Sequence, residues 1–178
     1  MREPLVPLVD HLPESTLAFE LPTPFPVGPV NCYVLLEEPV TVIDPGMLFG
    51  DTLARVSTEL AAVGLGVGDV DAVVVTHAHP DHYGTAGWLA EQADAPIYAG
   101  RAELPKLLET RDRHLLYELI RSFGIPEEML SVFPTFYGAV KEWLHEIDES
   151  RVVPVDDGDA LWLGGRQLEA MVAPGHAA

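Results

Sequence analysis

Apolar residues along this chain change their spacing several times, and each change marks an element. Residues 15–20 and 30–36 carry the short-period pattern of strands, and Val40-Thr41-Val42-Ile43 makes a third that stops at Asp44-Pro45-Gly46. Leu53, Val56, Leu60 and Val63 then recur at helical spacing, and Gly64 supplies a C-terminal stop, so this helix is expected to cover one face of a sheet. Asp71-Ala72-Val73-Val74-Val75 is β-branched and bounded by Gly and Asp, the pattern of a short, fully buried strand. Tyr83 to Ala93 reads as one helix carrying Trp88 and Leu89, and Ala95-Pro96-Ile97-Tyr98-Ala99 as the next strand. Near the end, Val152 to Val155, Ala160 to Leu163 and Gln167 to Val172 read as strands, with Gly164-Gly165 as a hairpin turn between the last two.

The alternation of strand and helix predicts an α/β fold. With 178 residues and 48% apolar content the chain can bury a sizeable core, and no charge run or Ser/Gly-rich stretch divides it, so a single domain over 1–178 is expected. Residues 101–150 switch to helical periodicity: Leu115, Leu116, Leu119, Ile120 and Phe123 form a stripe that Gly124 ends. This segment reads as a helical insertion, rich in aromatic residues such as Tyr117, Phe133, Phe136, Tyr137 and Trp143.

Charge narrows the partners. Ten basic residues against 28 acidic ones give −18, a field that repels nucleic acid and acidic membranes, so neither is expected as a partner. Cys32 is the sole cysteine and lies in a strand-like run, which predicts a small core residue. The N-terminus lacks a basic segment followed by an apolar one, and no apolar run approaches the ~20 residues of a membrane span, so a cytoplasmic protein is expected.

The chemistry concentrates in Thr76-His77-Ala78-His79-Pro80-Asp81-His82, directly behind the Val73 to Val75 strand. Alternate residues of an extended chain face the same way, so His77 and His79 can address one point. Asp81 and His82 lie past Pro80, where the chain turns into a helix, and can address a second point nearby. Two adjacent metal ions explain the cluster economically, one on nitrogen ligands and one on mixed nitrogen and oxygen ligands. Asp44, behind its own strand, is placed to bond nearby backbone amides. Asp156-Asp157-Gly158-Asp159 lacks the length and the terminal Glu of an EF-hand loop and reads as a solvated turn. There is no Gly-x-Ser-x-Gly elbow and no Gly-rich phosphate loop.

The cluster resembles the His-x-His-x-Asp-His signature of the metallo-β-lactamase superfamily, and Pro174-Gly175-His176 resembles that family's next metal-binding motif. The resemblance implies an αββα sandwich, with His77, His79 and His176 holding one metal and Asp81 and His82 part of a second site. It implies two zinc ions in a complete site, with iron or manganese as alternatives, and gives Asp44 a supporting role without metal contact. It also implies that the 101–150 insertion covers the site.

For function, the resemblance implies a metal-dependent hydrolase in which a metal-bound hydroxide attacks a thioester, lactone or related ester carbonyl and Asp81 serves as the catalytic carboxylate. Asn31-Cys32-Tyr33 through Asp44-Pro45-Gly46 resembles the glyoxalase II-like branch. An iron-dependent persulfide dioxygenase stays open as an alternative, as does an inactive fragment or non-catalytic metal-binding module. Family members usually continue past the third-motif histidine with a bridging Asp and a final His, whereas His176 here stands two residues from the end. A C-terminally incomplete domain is therefore expected, with an unpaired sheet edge and homo-oligomerisation as its consequence.

Overall fold

The computed structural model describes residues 12–108, 121–122, 124, 126 and 140–176. Six strands form one sheet in sequential order: β1 (Thr16–Leu21), β2 (Val30–Leu35), β3 (Thr41–Ile43), β4 (Ala72–Val75), β5 (Ile97–Gly100) and β6 (Val152–Val155). The first three pair antiparallel, and β3 to β6 run parallel. A separate hairpin joins β7 (Ala160–Leu163) to β8 (Arg166–Glu169).

Side-chain alternation sends the two faces of the sheet to different partners. Val73 and Val75 of β4 enter the main core with Cys32, Val34, Val42 and Ile97, beneath Val56 and Leu60 of α1 (Thr52–Ala62) and Leu89 of α3 (Ala86–Ala93). Ala72 and Val74 point the other way, toward Leu35, Ile43 and Tyr98, and meet Leu161, Leu163 and Leu168 of the hairpin. Burial of this apolar surface stabilises the layers by roughly 25 cal/mol per Å2. Cys32 is a core residue, fully buried, and burial followed by the charge of Asp44 pushes its thiol pKa well up.

The elements differ from the expected ones at four places. Val74 is half-buried, because the hairpin covers its face less completely than the helices cover the other. The α1 stripe is Thr52, Val56 and Leu60 instead of one ending at Val63, which caps the helix and is 41% exposed. Thr52 joins the buried row because its hydroxyl donates to Phe49 O at 2.7 Å. The strand expected over Gln167 to Val172 stops at Glu169. Beyond it the chain bonds to the preceding turn instead: Ala170 N donates to Asp159 O and Val172 N to Asp157 Oδ1.

The fourth difference bears on the site. The single helix expected over Tyr83 to Ala93 is two, α2 (Pro80–Tyr83) and α3, broken at Gly84 and Thr85. Tertiary bonds divert the backbone there. Thr85 N donates to Gly46 O at 2.9 Å, its hydroxyl to Pro45 O at 2.7 Å, and Gly84 O accepts from His145 N at 2.7 Å. The break lets the segment after Asp44 and the 143–145 segment close on the base of the histidine-bearing loop, Thr76 to His82.

Of the 101–150 insertion, Leu104–Leu107 forms α4, and its central stretch lies outside the described residues, with Tyr117, Phe133, Phe136 and Tyr137. Trp143 packs edge-on against Phe25 and Phe49, each at 6.0 Å between ring centres.

Gly84 should tolerate no side chain. A Cβ there would stand 2.7 Å from both Met47 Cα and Trp143 O and 2.8 Å from Pro80 O, all backbone atoms with no rotamer to change. Gly84→Ala is expected to cost about 1–3 kcal/mol by overpacking, read as a lowered denaturant midpoint at unchanged slope.

Candidate metal centre

Parallel pairing of β3, β4 and β5 brings their C-terminal ends to one edge of the sheet, the place where open α/β sheets collect functional groups. Asp44 leaves β3 there, Thr76 and His77 leave β4, and Glu103 lies just past β5. The histidine-bearing loop thus emerges from the middle strand of three.

Asp44 adopts a left-handed backbone, φ 54°, a conformation that Asp and Asn tolerate better than most residues. Its carboxylate is buried, and both of its oxygens are engaged. Oδ1 accepts from Thr76 N at 2.8 Å, and Oδ2 accepts from the Thr76 hydroxyl at 2.7 Å and lies 2.8 Å from His82 Nδ1. These contacts fix two imidazoles. A carboxylate oxygen only accepts, so His82 Nδ1 carries a proton and Nε2 is left facing away, 3.9 Å from Asp81 Oδ2. The Thr76 hydroxyl has given its one proton to Asp44, so at 2.9 Å it accepts from His77 Nδ1. The unprotonated Nε2 of His77 then points inward, 3.0 Å from His79 Nδ1.

His176 arrives from the turn that follows β8, after Gly175 at φ 122°. Its ring centre lies 4.8 Å from that of His77 and 4.7 Å from that of His79. One nitrogen from each of the three residues falls within 4.8 Å of the others. Zinc–nitrogen bonds of about 2.0–2.1 Å in tetrahedral array separate donors by ~3.3 Å; His77 Nε2 and His79 Nδ1, at 3.0 Å, are already near that spacing, and the set as a whole, within 4.8 Å, can close on a divalent metal. Asp81 and His82 stand beside it as a second pair, with His82 at 4.1 Å from His77 between ring centres.

The protonation pattern suits metal binding. Burial first, then repulsion from His82 and His79, lowers His77 to a pKa of about 4. Burial and His176 likewise lower His79. Both therefore offer neutral nitrogens at neutral pH, which ligation requires. Burial opposes the charge on His82, yet the Asp44 hydrogen bond and the charges of Asp44 and Asp81 outweigh it and raise its pKa.

Two groups at this edge escaped the sequence reading. The carboxylate of Glu103 reaches the loop from the β5 side, accepting from Ala78 N at 2.9 Å, and Lys106 Nζ lies 3.8 Å from the same oxygen. The one signal in the sequence was position, an acid just past the end of a parallel strand. His145 pairs with Glu91 at 3.0 Å and stands apart from the histidine cluster.

The family model of the metallo-beta-lactamase superfamily matches residues 25–178. The chain belongs to this superfamily. A Mycobacterium tuberculosis protein is 32% identical over 160 residues, 86% of this chain and 60% of that protein. The probable metallo-hydrolase YqjP of Bacillus subtilis is 38% identical over 71 residues, 40% of this chain and 22% of its own length. Among solved structures, a metallo-beta-lactamase family protein of Thermus thermophilus superposes with a TM-score of 0.76 at 27% identity, covering 92% of this chain and 53% of that one. MEM-A1, a subclass B3 metallo-beta-lactamase from a soil metagenome library, shares the fold at a TM-score of 0.60 and 19% identity, over 92% and 51% of the two chains. The chain therefore spans little more than half the length of these superfamily structures. Among the described residues, no helix is long and apolar enough to cross a membrane.

Two outcomes follow for the metal-free protein. Replacing Asp44 by Ala removes the acceptor of three donors and puts a Cβ-bearing residue without a compensating bond in the left-handed region. A loss of about 2–4 kcal/mol is expected by urea unfolding, while Asp44→Asn, which keeps one acceptor, should lose less. The second outcome concerns pH. An unfolded histidine takes its proton near 6.5, so between that value and about 4 the unfolded chain binds more protons at His77 than the folded one. Stability is then full above the unfolded pKa and falls as pH drops through this window. With a chelator present, the urea midpoint of wild type should decline more steeply from pH 6.5 to 4.5 than that of His77→Asn. Parallel profiles would show that protonation of His77 is not coupled to folding.

Proposed function

We propose that this chain supplies the metal-binding part of a hydrolase acting on a thioester, lactone or related carboxylic ester in a small molecule, with zinc as the metal. The convergence of His77, His79 and His176 within 4.8 Å, with Asp81 and His82 alongside, carries the reading. Names among the relatives support the coarser activity: YqjP is a probable metallo-hydrolase, and a Cupriavidus necator protein 41% identical over 61 residues is a metal-dependent hydrolase.

A divalent metal bound here supplies a Lewis acid for the carbonyl oxygen and brings the pKa of water down to about 7. The residues do the rest. His77, His79 and His176 present three nitrogens from two separate loops, and Thr76 and Asp44 hold the ring of His77 in the tautomer that leaves Nε2 free. Asp81, whose side chain is 16% exposed, stands at the surface of the cluster, where its carboxylate can orient the attacking water and accept its proton. No side-chain nucleophile is needed. Arg101 is already engaged, in a bidentate pair with Asp156, which leaves it a structural role between the ends of β5 and β6.

The test is turnover by the chain loaded in turn with zinc, manganese and iron, against a panel of thioesters, lactones and simple esters. Hydrolysis by the zinc form, reduced about 100-fold or more in Asp81→Asn with zinc still held by the three histidines, is the expected result. Tight iron with oxygen uptake on a persulfide would replace the hydrolase reading by a dioxygenase one. One metal per chain with no turnover on any substrate would leave a metal-binding module.

A further inference from the structure

We infer that Glu103 is a positioning residue for the metal centre, acting through the Ala78 amide to set the spacing of His77 and His79. Its carboxylate is buried, 8% exposed, and accepts from Ala78 N at 2.9 Å across 25 residues of sequence. Ala78 is the residue between the two histidines, and its methyl group is itself in the core. The loop around it is tight, with His79 N donating to His77 O at 3.0 Å. A shift of the Ala78 peptide therefore moves both imidazoles at once.

The arrangement mirrors the one on the opposite flank. Asp44, from the end of β3, holds the Thr76 amide, and Glu103, from just past the end of β5, holds the Ala78 amide. Two carboxylates from the neighbouring strands thus grip alternate peptide groups of the loop that leaves β4 between them. A buried carboxylate needs compensation, and Lys106 Nζ at 3.8 Å supplies it from the next turn of chain. Among the described residues, the backbone partner of its carboxylate is the Ala78 amide, between the two histidines.

This inference rests on the metal-site reading and is tested on the whole chain by titrating cobalt(II) and following its visible absorption, with Ala78 amide exchange measured by NMR in the metal-free protein. Glu103→Ala is expected to weaken cobalt binding by about 10- to 100-fold, alter the absorption bands and speed exchange at Ala78. Glu103→Gln, which retains an acceptor oxygen, should bind within about threefold of wild type. Where Glu103→Ala does not stay folded, Glu103→Asp gives the same comparison with the carboxylate drawn back by one methylene. Wild-type affinity and spectrum in a folded Glu103→Ala would overturn the positioning role, even with a lowered melting temperature. A wild-type chain that takes up no cobalt would instead sink the metal-site reading on which the inference stands.

Discussion

The proton positions and the strand-to-helix ties of the candidate site begin from one buried carboxylate with both of its oxygens engaged. Asp44 bonds the Thr76 amide, the Thr76 hydroxyl and the His82 ring, and so ties the end of β3 to the loop leaving β4 and to the first helix beyond it. Because a carboxylate accepts and never donates, the proton positions on His77 and His82 follow from it by simple valence. The chain reaches this point in a left-handed turn at φ 54°, so side chain and backbone both restrict what can stand there. Electrostatic order spreads outward from that single group.

The remainder of the site fits an acidic protein that keeps His77 and His79 neutral. At −18 the chain's overall field favours protonation of imidazoles, yet burial and mutual repulsion win locally at His77 and His79. Distance explains the difference, since surface acids act through water and a Debye length of about 8 Å, whereas desolvation acts at contact. His82, the one ring touching Asp44, is the exception with a raised pKa. The two candidate subsites therefore differ in proton affinity although their histidines are neighbours.

The sequence displayed the local part of this design well. Strand periodicity located β1 to β5, and the His/Asp cluster was conspicuous because its members sit within a few residues on a strand end. His176 was different: 99 residues beyond His77, it could be joined to the cluster through resemblance to a family motif, not through spacing. The break between α2 and α3 left no local trace, because its causes are the carbonyls of Pro45 and Gly46 and the amide of His145. Glu103, marked by nothing but its position just past β5, was passed over for a related reason. Its partner is a peptide N–H, which every residue but proline possesses, so no residue type signals the contact. The hairpin's Gly164 was legible as a turn, but its close seat on Leu35, and its amide bond to Pro39 O, come from the sheet beneath.

The long sequence interval between His77 and His176 has a mechanical meaning. The two histidines come from two adjoining layers of the fold, His77 from the end of β4 in the sheet and His176 from the turn after the β7–β8 hairpin. An ion held by both would act as a reversible cross-link closing a loop of about 100 residues, the class of constraint for which chain-entropy arguments give about 4–5 kcal/mol when the link is a disulfide. Metal availability would then govern how firmly the hairpin stays clasped to the sheet, making the same three side chains a fastener for the architecture as well as a seat for chemistry.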